Sequence, residues 1–92
     1  MITEDGMYRR KDGWLAAYVG EELVMMSAES GAYLGLNDVG AKIWEMIEQP
    51  CALSDICEGL AREFETTPQA CQAEVGAFLA ELEARGAVAQ NS

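Results

Sequence analysis

The spacing of apolar residues changes near position 37, and the change predicts strands before it and helices after it. Ahead of that position, short apolar runs are separated by short turns that each contain a glycine. Runs of this kind are typical of an antiparallel meander. We predict three strands, at Trp14–Val19, Leu23–Ser27 and Ala32–Leu36.

After position 37 the apolar residues recur at helical spacing, which predicts three helices. Asn37 is a good N-cap for the first helix, and Pro50 ends it. Ser54 is predicted to cap the second helix, with Leu53 packing back onto the first turn.

The third helix has the clearest start signal in the chain. Thr67 is a good N-cap, and Pro68 follows at the first helical position, where a missing N–H costs nothing. Gly86 follows Arg85 at the expected end, and the residues "AVA" after it could add a short strand. The order predicts an α+β fold of winged helix-turn-helix type, with an N-terminal three-stranded antiparallel sheet followed by three helices.

The length of 92 residues predicts a single domain over residues 1–92, with one modest core. The polar segment 1–12, which has charges of both signs, is expected to be flexible. No apolar run has the length of a secretory signal or a membrane span. The odd number of cysteines also disfavours a disulfide framework, so we expect a reduced, cytoplasmic protein.

The charge of the chain disfavours nucleic acid and membrane partners. Six basic residues face sixteen acidic ones, which gives a net charge of −10. Winged-helix order raises the question of DNA binding, but the third helix offers Arg85 as its one cation. An acidic helix is repelled by phosphates instead of releasing counterions. We therefore expect no nucleic acid and no membrane partner.

Catalysis and metal binding are disfavoured by the residue types present. The chain has no histidine, so it lacks an imidazole base for a serine or cysteine nucleophile. The carboxylates fall on predicted polar helix faces, where solvation is their ordinary state. Cys51, Cys57 and Cys71 match no zinc-ligand spacing, and the last two fit small core positions. We expect a protein that is not an enzyme, without metal or cofactor.

The strand Ala32–Leu36 carries neither charge nor proline, although such residues usually block an exposed sheet edge. Two interpretations follow from the residues alone. In the first, Tyr33 or Leu34 faces the core and a helix covers the edge. In the second, the edge stays open and accepts an extended peptide as an added strand.

Two long segments resemble the PqqD-like family of recognition elements for RiPPs, which are ribosomally made and post-translationally modified peptides. The segments are "LNDVGAKIWEMI" and "LSDICEGLAREFETTPQACQAEVGAFLAELEARGAV". The resemblance extends from about Tyr33 to Val88, and its motifs are specific in combination. At Glu74, most relatives carry aspartate.

The resemblance implies a non-catalytic module that binds the leader segment of a precursor peptide and presents it to a modifying enzyme. In the family, the leader adds to the third strand and lies against the third helix. The implied leader-binding residues are Ala32, Tyr33, Leu34, Gly35, Leu36, Glu74, Phe78, Glu81, Leu82 and Arg85. The other flank of the third helix, with Gln72, Gly76, Leu79 and Glu83, stays open as an alternative.

The resemblance is strongest to stand-alone leader-binding proteins of lasso-peptide pathways, in which the partner enzyme is a leader protease. One alternative is a peptide chaperone for a radical enzyme in pyrroloquinoline quinone synthesis. Another is an acidic winged-helix interaction domain unrelated to peptide maturation. An open apolar edge can also pair with its own copy, so a homodimer is a further expectation.

Overall fold

The computed structural model describes residues 6–91, except for the side chains of Pro68 and Asn91. Six strands and three helices follow one another along this part of the chain. The α+β class is confirmed, and the winged-helix type stays a prediction. In chain order the elements are β1 (Met7–Arg10), β2 (Trp14–Val19), β3 (Glu22–Ser27), β4 (Tyr33–Leu36), α1 (Asp38–Met46), β5 (Cys51–Ala52), α2 (Leu53–Glu63), α3 (Pro68–Ala84) and β6 (Val88–Asn91).

The predicted meander is confirmed as an antiparallel sheet of strand order β2-β3-β4. Each strand agrees with its predicted range to within one residue. Gly20 and Gly31 lie in the two turns with φ of 67° and 76°. These positive values suit glycine, because other residues meet a steric penalty there. β2 and β4 therefore form the two edges of this sheet.

A second sheet, of strand order β5-β1-β6, differs from the expectation of a flexible N-terminal segment. Met7 pairs with Ala52 of β5 and with Asn91 of β6. The Lys11 N–H continues the contact by donating to the Ala87 carbonyl at 2.9 Å. The polar residues of β1 form no pattern that predicts a strand. β1 forms because it pairs with β5 and β6, which lie far along the chain. Residues 1–5 lie outside the described residues, and the single domain over residues 1–92 stays a prediction.

The helix starts follow the predicted caps in two of three cases. Asn37 Oδ1 accepts a hydrogen bond from the Gly40 N–H at 2.9 Å, and Thr67 Oγ1 accepts one from Ala70 at 3.2 Å. The prediction for Ser54 is wrong, because α2 begins at Leu53, two residues earlier than a cap at Ser54 implies, and has no side-chain cap. The preceding dipeptide is paired in β5, so the helix starts directly where the strand ends.

The core lies between the meander and the three helices. Its buried residues come from β3, β4, all three helices and the start of β6. Cys57 and Cys71 are 1% and 4% exposed, which confirms them as core residues. Within residues 6–91, no helix is both long and apolar enough to cross a membrane. The largest fully buried side chains are Met25, Ile43, Ile47, Ile56, Leu60, Leu79 and Leu82.

Candidate functional site

β4 is an edge strand whose hydrogen-bonding pattern can be followed from its start. The Ser27 N–H donates to the Ala32 carbonyl at 2.9 Å. In an antiparallel ladder, hydrogen-bonded pairs alternate with non-hydrogen-bonded pairs. The next bonded pairs are therefore Met25 with Leu34 and then Leu23 with Leu36.

The same alternation determines which backbone groups of β4 are open. Tyr33 and Gly35 stand opposite Met26 and Val24 in non-hydrogen-bonded pairs. Their N–H and C=O groups therefore point away from β3, toward the edge. No other strand within residues 6–91 pairs with this edge. The second interpretation, an edge open to an added strand, has the backbone geometry that it requires.

The side chains of β4 alternate between the helices and the outer face of the sheet. Leu36 is 3% exposed, and Leu34 is half-buried and packs against the core. Tyr33, on the opposite face, is 71% exposed. An additional strand at this edge would keep the same alternation, because paired residues of adjacent strands share a face.

A cavity of about 360 Å³ adjoins the β4 edge on the side of the helices. This size lies in the ordinary range of pockets that bind small ligands or side chains. The lining is mostly apolar, and among the described residues Glu74 is the one charged residue in it. The lining residues are Gly35, Asn37, Val39, Gly40, Ile43, Leu60, Phe64, Thr66, Cys71, Glu74, Val75 and Phe78. We call this cavity, together with the edge of β4, the β4 groove.

Gly40 allows α1 to approach both β4 and α3 closely. A Cβ atom at this position would lie 3.2 Å from Leu36 Cβ and 3.2 Å from Phe78 Cζ. Such distances are tighter than ordinary van der Waals contacts, so a side chain here would displace the Phe78 ring. The Phe78 ring in turn forms one wall of the cavity. The shape of the β4 groove thus depends on a missing side chain.

The structure distinguishes between the two flanks of α3. Glu74 and Phe78 line the cavity with Gly35, so this flank faces β4. On the alternative flank, Leu79 is fully buried in the core. Gly76 has no atom within 4 Å of the place where a Cβ would lie.

The other predicted site residues lie away from the cavity. Leu36 and Leu82 are 3% and 1% exposed and belong to the core. Glu81 and Arg85 form an exposed ion pair of 3.1 Å with each other, and neither lines the cavity. Ala32 precedes β4, and its carbonyl bonds back to β3. Roles for these residues in peptide binding stay predictions.

Sequence reasoning missed the lining that α1 and α2 contribute. By spacing alone, Val39 and Ile43 fit one apolar stripe of α1, and Phe64 fits the stripe of α2. Residues of these stripes contact both the core and the cavity. Ile43 is buried, whereas Val39 is 36% exposed. The exposure of Val39 depends on how α1 packs against β4, so the sequence carries no local signal for this part of the lining.

Cys71, whose thiol lines the cavity, is 4% exposed. Cys71 is hydrogen-bonded to Cys57, and burial together with this bond raises the pKa of the Cys57 thiol well above its ordinary value. The Cys57 thiol therefore stays protonated at neutral pH, and a protonated thiol is a poor nucleophile. Among the described residues, no group of three or more His, Cys, Asp or Glu side chains is arranged to hold a metal ion. What the β4 groove offers is a binding surface: open backbone groups beside an apolar cavity.

Comparisons with known proteins show the sequence family and the fold of this chain. The sequence family described as "Coenzyme PQQ synthesis protein D (PqqD)" matches residues 22–88. The structure of TbiB1 in complex with the TbiA(beta) leader peptide superposes with a TM-score of 0.79 at 22% identity, covering 87% of this chain and 93% of that one. Lasso peptide synthetase B1 complexed with the leader peptide has a TM-score of 0.80 at 22% identity, with 89% and 96% covered. No curated protein matches the sequence.

Proposed function

Because this chain belongs to the PqqD family, we propose that it is a non-catalytic module that captures the leader segment of a ribosomal precursor peptide. The leader adds as an antiparallel strand to β4 and lies against α3. The observation that carries this proposal is the open edge at Tyr33 and Gly35, directly beside an apolar cavity. Main-chain hydrogen bonds give affinity in strand addition, and pockets for alternate side chains give specificity.

The hydrogen-bonding pattern of β4 defines the register of the added strand. Leader residues opposite Tyr33 and Gly35 exchange backbone hydrogen bonds with them, and their side chains lie on the outer face of the sheet. The leader residue opposite Leu34 directs its side chain toward the helices and the cavity. We therefore expect a leader motif with a bulky apolar residue at that position. The residues on either side of it have their side chains in solvent and can be polar.

The charge of the β4 groove adds a second preference. Glu74 is the charged residue of the cavity lining, and the whole chain has a net charge of −10. A basic side chain or a hydroxyl group beside the apolar anchor complements this carboxylate. Long-range attraction also raises the association rate of a basic peptide, and the effect weakens as salt screens it.

The partner enzyme that fits best is a leader protease of a lasso-peptide pathway. The support is the likeness in fold to two leader-bound proteins, one of them a lasso peptide synthetase B1. The family match favours a second candidate, a peptide chaperone for a radical enzyme in pyrroloquinoline quinone synthesis. Both candidates use the same strand addition, and they differ in the enzyme that receives the peptide. Co-purification with each class of enzyme, in the presence of leader, distinguishes them.

The experiment that tests leader capture compares proline substitutions at two open edges. Gly35→Pro removes an N–H that points away from β3, so the β3–β4 ladder is retained. The Cβ that it adds lies 3.1 Å from the flexible Glu22 carboxylate, which can move. Ala16→Pro makes the same change on β2, the opposite edge of the sheet, and serves as the matched control.

The readout is the affinity for a synthetic leader peptide taken from a short precursor gene beside the protein's own gene. We expect Gly35→Pro to weaken binding by at least about tenfold, equivalent to about 1.4 kcal/mol. Phe78→Ala should weaken it as well, because it removes a wall of the cavity. Ala16→Pro should leave the affinity unchanged. Equal affinities for the Gly35→Pro and Ala16→Pro variants would contradict strand addition at β4.

A further inference from the structure

β2 is a second open edge, on the other side of the sheet from the β4 groove. The Ala28 N–H donates to the Gly13 carbonyl at 2.8 Å, which sets the hydrogen-bonding pattern of the β2–β3 ladder. By alternation, residues 15, 17 and 19 bond to β3. The backbone groups of Trp14, Ala16 and Tyr18 therefore point outward, and no strand within residues 6–91 pairs with them.

The residues of this edge lack two features by which proteins often protect an exposed strand, charged side chains and proline. The sequence of β2, "WLAAYV", contains no charge and no proline. On the outer face of the sheet, Leu15 and Val19 are 61% and 66% exposed, and Ala17 between them is also exposed. A six-residue strand with open backbone groups at three of its residues and an apolar outer face is a template for another strand.

We propose that β2 pairs with β2 of a second copy, so that two sheets join into one of six strands. The outward-pointing residues must face one another, and the register that pairs all three places a two-fold axis at Ala16. Trp14 then stands opposite Tyr18 of the second copy. Leu15 stands opposite Ala17 of the second copy, which joins the two apolar outer faces.

Charges at the ends of β2 favour a second copy as the occupant. The segment before β2 carries Arg9 and Lys11 together with one acidic residue, Asp12, and the turn after β2 carries Glu21. All four residues are exposed, and the segment before β2 remains net basic. Antiparallel pairing places the basic end of each strand beside the acidic end of the other, and the two-fold axis repeats this contact. This local complementarity opposes the repulsion between two chains of net charge −10.

The proposed dimer is independent of leader capture. β2 and β4 are opposite edges of one sheet, separated by β3. Pairing through β2 therefore leaves both β4 grooves open, at the two ends of the joined sheet. The homodimer expected from an open edge thus has β2 as its contact, and each copy can still bind a leader.

Analytical ultracentrifugation of the full chain without peptide, from about 1 μM to about 1 mM, tests the proposal. We expect a reversible monomer–dimer equilibrium. Ala16→Pro removes the open N–H at the two-fold axis while keeping the β2–β3 ladder, and it should weaken dimerisation by at least about tenfold. Gly35→Pro makes the matched change on β4 and should leave dimerisation unchanged.

A charge exchange gives a second test of the register. Lys11→Glu and Glu21→Lys should each weaken the dimer, and the double variant should restore part of the loss, because the contact is rebuilt with its signs reversed. Leu15→Lys gives a further variant at an exposed position and should weaken the dimer without unfolding the chain. Thermal unfolding of each variant confirms that it is folded.

Two results would overturn the proposal. One is a wild-type chain that stays monomeric over the whole concentration range. The other is a dimer that the folded Ala16→Pro or Leu15→Lys variant retains, or that Gly35→Pro abolishes, since the contact would then lie elsewhere. If the wild-type chain does not bind the leader, the dimerisation results are unaffected. The proposal of leader capture and the proposal of a β2 dimer can therefore fail independently of each other.

Discussion

The guanidinium group of Arg10 donates two hydrogen bonds to the carbonyl oxygen of Trp44, at 2.9 and 2.7 Å, and lies over the Trp44 ring at 4.6 Å from its centroid. Trp44 is in the last turn of α1, where carbonyl groups lack partners within the helix. A cation at this end also interacts favourably with the helix dipole. This contact attaches β1 of the second sheet to the end of α1.

We predict that Arg10→Met lowers the free energy of unfolding by about 1–3 kcal/mol, because it removes charged hydrogen bonds and a cation–π contact. Arg9 is the neighbouring cation, is exposed, and supplies the matched control. Arg9→Met should change the free energy of unfolding by less than about 0.5 kcal/mol. Urea unfolding of the two variants measures the difference, and equal stabilities would show that the Arg10–Trp44 contact contributes little.

A methyl group at Gly40 should close part of the cavity from inside. In Gly40→Ala, the new Cβ lies too close to Phe78 Cζ, so the ring must move. We expect weaker leader binding and no gain in stability. Gly76→Ala is the control on α3, because no atom lies within 4 Å of its new Cβ. It should stabilise the chain by about 0.5–1 kcal/mol through helix propensity and leave leader affinity unchanged.

Leu82 and Phe78 are both predicted leader-binding residues, but the structure separates their environments. Leu82 is 1% exposed in the core, so Leu82→Ala should lower the free energy of unfolding by about 2–5 kcal/mol. Its effect on leader affinity should be small in the fraction of protein that stays folded. Phe78 lines the cavity, so Phe78→Ala should lower leader affinity. Calorimetric titration at a temperature where both variants are folded compares them.

The buried thiol of Cys57 should make the protein less stable in alkaline solution. Burial and the hydrogen bond with Cys71 raise the pKa of Cys57 above its ordinary value of 9.0. The unfolded chain therefore loses this proton at lower pH than the folded chain does. The contribution of the protonated Cys57 thiol to the free energy of unfolding is therefore complete below pH 9 and declines as the pH rises above 9.

Thermal unfolding of the wild type and of Cys57→Ala as a function of pH isolates this contribution. The variant should be less stable at neutral pH, because it leaves a cavity. Above pH 9 its stability should decline less steeply than that of the wild type. Parallel declines would show that the Cys57 thiol titrates alike in both states.

The sequence predicted the elements that are determined by residues close to one another in the chain, such as helix caps and tight turns. Asn37 and Thr67 cap their helices as expected, and the glycine turns define the β2-β3-β4 meander. The second sheet escaped prediction because β1 depends on partners such as Asn91 at the other end of the chain. The wrong cap at Ser54 has the same cause, since β5 forms only where β1 is present.

The candidate site was predictable to a similar extent. The uncharged strand at Tyr33–Leu36 was identified from the sequence. The resemblance implied the flank of α3 with Glu74 and Phe78 while the other flank stayed open, and the structure places Glu74 and Phe78 beside Gly35. The contribution of α1 to the cavity lining was not predicted, because it depends on how closely Gly40 lets this helix approach β4 and α3. Such distances between elements are set by packing and have no local signature.

A titration of isotope-labelled protein with the synthetic leader peptide, following backbone amide shifts, tests the central claim most directly. We predict saturable shifts concentrated at Tyr33–Leu36 of β4 and at Glu74–Phe78 of α3, with Trp14–Val19 of β2 unaffected by the peptide. The contrary result would be the absence of saturable shifts at β4 and α3. In that case the open edge beside the cavity is not a leader-binding groove.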